Sequence, residues 1–378
     1  MKKEKLIQHR TPFYCYDLKL LSQTLDQAQT HAKKHDYHIH YAMKANTNNR
    51  ILEVIQSKGF GADCVSGNEV KKALEIGFKP NQIAFAGVGK SDEEIEIGLQ
   101  NDIFTFNCES VQEIEIINEL ATKANKVARI ALRLNPNVDA KTHKYITTGL
   151  EENKFGINSW ELEGLLEKLP SLSNIKVTGL HFHIGSQITS MTPFKNLCIR
   201  VNELNQWFLD RGIHIEHLNL GGGLGIDYQN PKENPIPDFE LFFGVFKQFL
   251  EPRVHQEIHF ELGRSLVANC GSLISKVLYI KNGIKTNFAI IDAGMTELIR
   301  PALYQASHSI ENLTSVSSDS EFYDVVGPIC ESSDCFGKKI ELKPTKRGDY
   351  IKIHSTGAYG EVMTSGYNLR EQNPVVFV

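Results

Sequence analysis

No run of about 18 consecutive apolar residues occurs in this 378-residue chain, which excludes a membrane-spanning helix. A dominant charge is also missing. Lys and Arg number 41 against 45 Asp and Glu, a net of −4, so nothing draws the whole chain to nucleic acid or to an anionic membrane. Met1–Arg10 is basic, but no apolar segment follows before Asp17, so no secretory leader is expected and the cytoplasm is the expected compartment. Cysteine is sparse and scattered. Cys15, Cys64, Cys108, Cys198, Cys270, Cys330 and Cys335 make an odd, widely spaced set without a CxxC, which excludes a disulfide framework or a zinc ribbon. In a reducing compartment most would be buried thiols, with Cys330 the candidate for a chemical role. Low-complexity tracts and internal repeats are absent too.

What is present is the balance of a soluble globular protein, 41% hydrophobic and 23% charged, long enough for two domains or one large barrel plus an appendage. Eight apolar runs read as strands: His38–Ala45, Phe60–Ser66, Gln82–Gly87, Ile103–Cys108, Arg129–Asn135, Val177–Gly185, His214–Gly223 and His259–Leu266. Their mean spacing is roughly 32 residues, the length of a βα unit. Helical periodicity fills the gaps, most clearly at Asn68–Ile76, Asp92–Leu99, Ser110–Ala124, Ser159–Leu169 and Pro193–Asp210, with Ser110 and Ser159 as plausible caps. The pattern predicts a (β/α)8 TIM-like barrel over 25–266, with an open doubly wound sheet as the competing arrangement. After that, Ser272–Lys281, Asn287–Gly294, Glu321–Ile329 and Asp349–Tyr359 read as strands with no comparable helix between them. A β-rich domain over 267–378 is expected, joined by the N-terminal strand Thr11–Asp17 from residues 1–24. Ile310–Asp319 reads as a polar surface loop.

Several strand ends carry chemistry. Lys44 in YAMKANTN lies near the end of the first strand, where barrel active sites are built. Flanked by Ala42, Met43 and Ala45, its amine can be partly desolvated and condense with an aldehyde; a surface lysine is the plainer alternative. LGGGLGIDY follows the seventh strand, where barrels often bind phosphate, and successive glycines let backbone N–H groups approach an anion; a flexible turn is the alternative. Glu261 in ELGRSL would face the pocket from the last strand, where a carboxylate opposite a pyridine nitrogen keeps that nitrogen protonated. Taken alone, a structural Glu–Arg pair fits it better. Gly263 and Arg264 could add contacts to phosphate or carboxylate. In HFHIGSQ, His181 and His183 are spaced to share a strand face. No third ligand has a suggestive spacing, so no metal is expected. A ring-stacking histidine with Ser186 near a phosphate fits better, and a satisfied core histidine remains open for His181. Three loop-like stretches, Arg300–His308, Gly327–Gly337 and Gly357–Asn368, supply a guanidinium, a thiol, a carboxylate and phenols, as a polar substrate pocket requires.

In their order along the chain, YAMKAN, HKYITTGLEENKFGI (His143–Ile157), HFHIGSQ, GGGLGIDY, ELGR, RPALYQASH, CESSD (Cys330–Asp334) and GAYG resemble the fold-type III pyridoxal-phosphate decarboxylases. Within them they resemble the branch acting on meso-2,6-diaminopimelate. The resemblance runs from about Thr11 to Val376. It implies a carboxy-lyase that uses pyridoxal 5'-phosphate to release L-lysine and carbon dioxide. Lys44 is similar to the lysine that carries the cofactor, and His183 to the histidine stacked on its ring. Ser186, Gly223, Gly263 and Arg264 match phosphate positions, and Glu261 the carboxylate on the pyridine nitrogen. Arg264, Arg300 and Tyr304 match substrate-holding residues, and Tyr359 a tyrosine near cofactor and substrate. Cys330 and Glu331 match a pair reaching in from a partner subunit, as proton donor and as ligand of the distal ammonium, so a homodimer with shared sites is implied. Two departures stand out. Leu262 replaces the usual proline of Glu-Pro-Gly-Arg, and NLREQNPVVFV at the C-terminus matches poorly and could change the surface near Tyr359. A polyamine-type decarboxylase acting on ornithine, arginine or carboxynorspermidine is the competing enzyme; Arg300 favours a substrate with a distal carboxylate. A non-catalytic cofactor carrier is the other alternative, and it would not need Cys330, Arg300 or Tyr359.

Overall fold

The computed structural model describes residues 8–138 and 154–378. Residues 143–153 of the His143–Ile157 motif therefore lie outside the described residues. The chain divides into two compact units, one of Leu25–Gly225 with Asp238–Gly263, the other of Met1–Thr24, Ile226–Pro237 and Arg264–Val378.

The first unit is a closed barrel. Strands β2 (Tyr37–Ala42), β3 (Gly61–Cys64), β4 (Ile83–Phe85), β5 (Thr105–Cys108), β6 (Ala128–Arg133), β7 (Ile175–His181), β8 (His217–Asn219) and β9 (Glu257–Leu262) neighbour one another in chain order. β9 pairs back onto β2, and every pairing is parallel. The alternation seen in the sequence thus closes, and the open doubly wound sheet is ruled out. The strands are shorter than their apolar runs suggest. β2 stops at Ala42, so Lys44 sits on a 3-10 turn, Met43–Ala45. β7 stops at His181, so His183 lies beyond the strand and the two histidines do not share a strand face.

Local chemistry sets the helix ends. Helix Asp92–Gln100 opens on a capping box of Ser91 and Glu94, with three carboxylates in its first turn facing the positive end of the helix dipole. The Ser110 hydroxyl accepts the Glu113 N–H at 3.2 Å, as SVQE suggests. Ser159 does not cap; Glu161 instead reaches back to the Asn158 N–H at 2.9 Å. The sequence reading passes over helix Phe239–Phe249, whose Phe239, Phe242, Phe243 and Phe246 follow the i, i+3, i+4, i+7 spacing of one helix face. Phe242, Phe243 and Phe246 pack on Phe260 of β9 with ring centroids 5.6, 5.1 and 4.8 Å away.

The second unit is an eight-stranded mixed sheet. Its main path runs β12 (Ile310–Asn312), β15 (Tyr350–Ile353), β10 (Gly271–Asn282), β11 (Asn287–Ile291), β13 (Glu321–Val326) and β14 (Cys335–Leu342). β1 (Phe13–Tyr16) pairs antiparallel with β10, as the N-terminal strand was expected to do, and parallel with β16 (Val375–Phe377). The divergent C-terminus is therefore built into the sheet. Phe13, Cys15 and Ile274 form a buried cluster that Leu313, Tyr350 and Val376 extend. Two loop expectations are corrected here. Ile310–Asn312 is an edge strand rather than loop, and Arg300–Tyr304 is a short helix ended by Gln305 at φ 53. No helix among the described residues is long and apolar enough to cross a membrane.

Candidate active site

Polar side chains converge where the barrel strands end. Glu261, on β9, is 7% exposed. It is gripped by three donors: Asn107 Nδ2 at 3.0 Å, Asn219 Nδ2 at 2.7 Å and His181 Nε2 at 2.8 Å. Burial pushes its carboxyl up, but His181 and Lys44 outweigh burial and hold it well below the usual carboxylate range. The partner is thus not the arginine that ELGR suggests, and His181 is no idle core histidine.

Lys44 is flanked by fully buried Met43 and Ala45, while its own side chain stays 43% exposed. Its Nζ lies 3.7 Å from Asp63 Oδ2 on β3. Burial, and then the nearby Glu261 charge, push the Asp63 carboxyl well above its ordinary range, with Lys44 opposing. Next to them Arg133, at the end of β6, donates to Glu109 at 2.5 Å and stacks its guanidinium 4.8 Å from the Phe155 ring centre.

The glycine run forms a shaped turn. A Cβ at Gly222 would sit 1.9 Å from the Glu261 carbonyl, so the turn can approach β9 only with glycine there. Gly223 has φ +106, which side-chain-bearing residues rarely adopt. The Gly222 N–H donates to His183 Nδ1 at 3.3 Å, which leaves Nε2 to carry the proton of a neutral ring. Burial, then the charges of Arg133 and Lys44, hold the His183 pKa well below its ordinary value, so the ring stays neutral. Ser186 follows Gly185 on the adjoining loop, half-buried, and Gly263 follows β9 where an added Cβ would sit 3.1 Å from the Cβ atoms of Ala42 and Ala45.

A second set stands in the sheet-bearing unit. Arg264 opens the short helix Arg264–Val267 and donates to the Tyr228 hydroxyl at 2.5 Å, its guanidinium 4.8 Å from the Tyr359 ring centre. Arg300, 5% exposed, stacks 4.8 Å from the Tyr228 ring. It donates to His308 Nε2 at 2.9 Å, while His308 Nδ1 donates to the His354 carbonyl at 2.8 Å. Burial and the Arg300 charge lower the His308 pKa to about 3. Tyr304 ends the Arg300 helix, half-buried. Cys330 and Glu331 are exposed. Their loop folds around buried Asp334, which accepts the Met295 N–H at 2.6 Å and the Ile329 N–H at 2.7 Å. Tyr367 donates to Glu331 at 2.9 Å.

Lys44, His183, Gly223 and Glu261 thus gather at one end of the barrel. Arg264, Arg300 and Tyr359 gather around Tyr228. Sequence reasoning passes over Asp63, Asn107, Arg133, Asn219 and Tyr228. All but Tyr228 are polar residues at or near the C-terminal ends of buried strands, a signal that was readable in FGADCVS, IFTFNC, RIALRLN and HIEHLNLGGG.

The chain belongs to the pyridoxal-dependent decarboxylases, whose pyridoxal binding domain matches residues 19–268. Within that class its relatives are diaminopimelate decarboxylases. The enzyme of Bacteroides thetaiotaomicron is 56% identical over 96% of this chain and 94% of its own. That of Helicobacter pylori is 40% identical over 97% of this chain and 90% of its own. The crystal structure of the H. pylori enzyme complexed with L-lysine matches with a TM-score of 0.93 at 39% identity, over 99% of this chain and 93% of that one. The M. jannaschii enzyme in co-complex with L-lysine matches with a TM-score of 0.91 at 35% identity, over 100% and 89%.

Proposed function

We propose that the chain decarboxylates meso-2,6-diaminopimelate to L-lysine and carbon dioxide with pyridoxal 5'-phosphate, the closing step of lysine biosynthesis. The observation that carries this reading is Glu261, a buried carboxylate kept ionised by His181 and two asparagines on the same barrel end as a lysine. The residues fit the cofactor. Gly222 and Gly223 form a cradle that a side chain would fill, and Asp63 Oδ1 has no partner among the described residues. Lys44 would hold the cofactor covalently, Ser186, Gly223, Gly263 and Arg264 its phosphate, His183 one ring face, and Glu261 its ring nitrogen, with Tyr359 alongside. When bound, pyridoxal phosphate supplies an electron sink for the pair left at the α-carbon as carbon dioxide departs.

The protein's own work is positioning and proton control. Glu261 stays ionised, and its charge would keep a proton on the pyridine nitrogen of the bound cofactor. Arg264, Arg300 and Tyr304 orient the substrate, with Arg300 the partner for the distal carboxylate. Glu331 takes the distal ammonium, and Cys330 delivers the proton to the α-carbon. Cys330 and Glu331 do this in the partner's site of a homodimer. Residues 25–266 act as the cofactor domain and supply Arg264, and 267–378 with 1–24 carry the remaining substrate groups. The seven free cysteines fit a reducing cytoplasm. The test supplies purified chain with pyridoxal phosphate and each of meso-diaminopimelate, ornithine and arginine. Lysine release from the first is expected to exceed decarboxylation of the others by about 10²-fold or more, the cost of leaving buried polar groups unpaired. Preferred turnover of ornithine or arginine would overturn the assignment.

A further inference from the structure

The opposite mouth of the barrel holds a polar cluster that decarboxylation does not use. His38 and His40 on β2, and Glu257 and His259 on β9, alternate along their strands and so share one face. β2 and β9 are the barrel's first and last strands, and His38 lies directly opposite His259 across their pairing. His38 and Glu257 are exposed and His259 is buried. Each of the three offers one ligand atom, all within 4.8 Å of one another. The His38 and His259 rings stack 4.8 Å apart. All three border an open depression of about 390 Å³.

The hydrogen bonds behind this group decide what it presents. His40 Nδ1 lies 3.0 Å from the Gln82 carbonyl. A carbonyl only accepts, so that nitrogen carries a proton. In a neutral ring His40 Nε2 is then a lone pair, and it lies 2.8 Å from His259 Nδ1, which must donate. A neutral His259 therefore turns a bare Nε2 lone pair toward Glu257 Oε2 at 3.2 Å. Two acceptors at that distance repel unless a cation lies between them. The separation is that of neighbouring ligands in a tetrahedron with bonds of ~2.0–2.1 Å. A histidine whose other nitrogen donates to an outer acceptor is how proteins orient a metal ligand, and here His40 and Gln82 form that outer chain.

We propose that His38, Glu257 and His259 form a divalent transition-metal site of the zinc type. His259 Nε2, a Glu257 oxygen and a His38 ring nitrogen are the ligands, and water takes the fourth position. Two imidazoles and one carboxylate are the donor set of borderline cations such as Zn²⁺ rather than of Mg²⁺ or Ca²⁺. The ion would join β2 to β9 and so staple the seam at which the barrel closes, far along the strands from Lys44.

Untagged holoenzyme, dialysed against a chelator, is titrated with Zn²⁺ by calorimetry and with Co²⁺ by visible absorption, and its melting temperature is recorded with and without Zn²⁺. One Zn²⁺ per chain is expected, with a rise in melting temperature and a Co²⁺ d–d band. His38→Ala and Glu257→Gln, both at exposed positions, should each weaken Zn²⁺ binding at least tenfold and leave lysine production unchanged. Cys330→Ser, which removes an exposed thiol, should keep the ion. No stoichiometric binding would leave His259 as an imidazolium paired with Glu257 and overturn the proposal. Binding that survives both ligand variants, or that vanishes with Cys330→Ser, would overturn it as well.

Discussion

Glu261 shows how a single residue acquires its character from its neighbours. Buried alone, a carboxylate would take up a proton; three donors reverse that. A hydrogen bond to a charged group contributes about 1.5–3 kcal/mol, so His181→Ala should lower kcat/KM by roughly one to two orders of magnitude. It should also move the acid limb of the pH profile upward, because the largest influence opposing burial is gone. An unmoved limb would mean that His181 does not set Glu261. His308 supplies a second test, in which the fold keeps a group neutral rather than charged. Its folded pKa of about 3 lies below the ordinary 6.5, so it stays neutral in the fold while the unfolded chain takes up a proton. Its contribution is complete above pH 6.5 and declines as pH falls toward 3, by about 2 kcal/mol between pH 6.5 and 5. His308→Gln keeps an acceptor for Arg300 and should flatten that loss. Denaturant midpoints at pH 7 and pH 5 measure it.

At the scale of elements, the glycine turn after β8 and the phenylalanine helix before β9 position the same strand from opposite sides of the chain. With its Cβ 1.9 Å from the Glu261 carbonyl, Gly222→Ala must push β9 or the turn away. Weakened pyridoxal-phosphate binding, read from the cofactor's visible absorbance, is the expected result, with little change in far-ultraviolet circular dichroism. Phe242 is fully buried among Phe194, Phe243, Phe246 and Phe260. Phe242→Ala should cost about 3–5 kcal/mol, seen as a lower denaturant midpoint. The helix carrying it was legible from its i, i+3, i+4, i+7 phenylalanines. β12 was not, because a three-residue strand in a Ser-rich stretch leaves no period to detect.

For the molecule as a whole, the proposed shared-site dimer makes a quantitative claim. If Lys44 of one chain works with Cys330 of the other, Lys44→Ala and Cys330→Ala chains are each inactive alone. Mixed and reassembled in equal amounts, half the dimers are hybrids, and each hybrid has one site with both native residues. Activity should return to roughly a quarter of wild type, as two-fold symmetry requires. A mixture that stays inactive would place both residues in the same chain's site.

The sequence by itself determined the barrel, because eight apolar runs at near-constant spacing leave few other ways to bury both faces of parallel strands. It also marked the strand ends that carry the candidate site, through Lys44, the glycine run and Glu261. The tertiary structure decided the partners: His181, Asn107 and Asn219 on Glu261, Asp63 beside Lys44, and Tyr228 between Arg264 and Arg300. Those pairs lie from 19 to 154 positions apart in the chain, 44 to 63 and 107 to 261 being the extremes. No local pattern encodes such distances. Barrel closure brings the strand ends together, and only then does burial turn ordinary polar residues into a site.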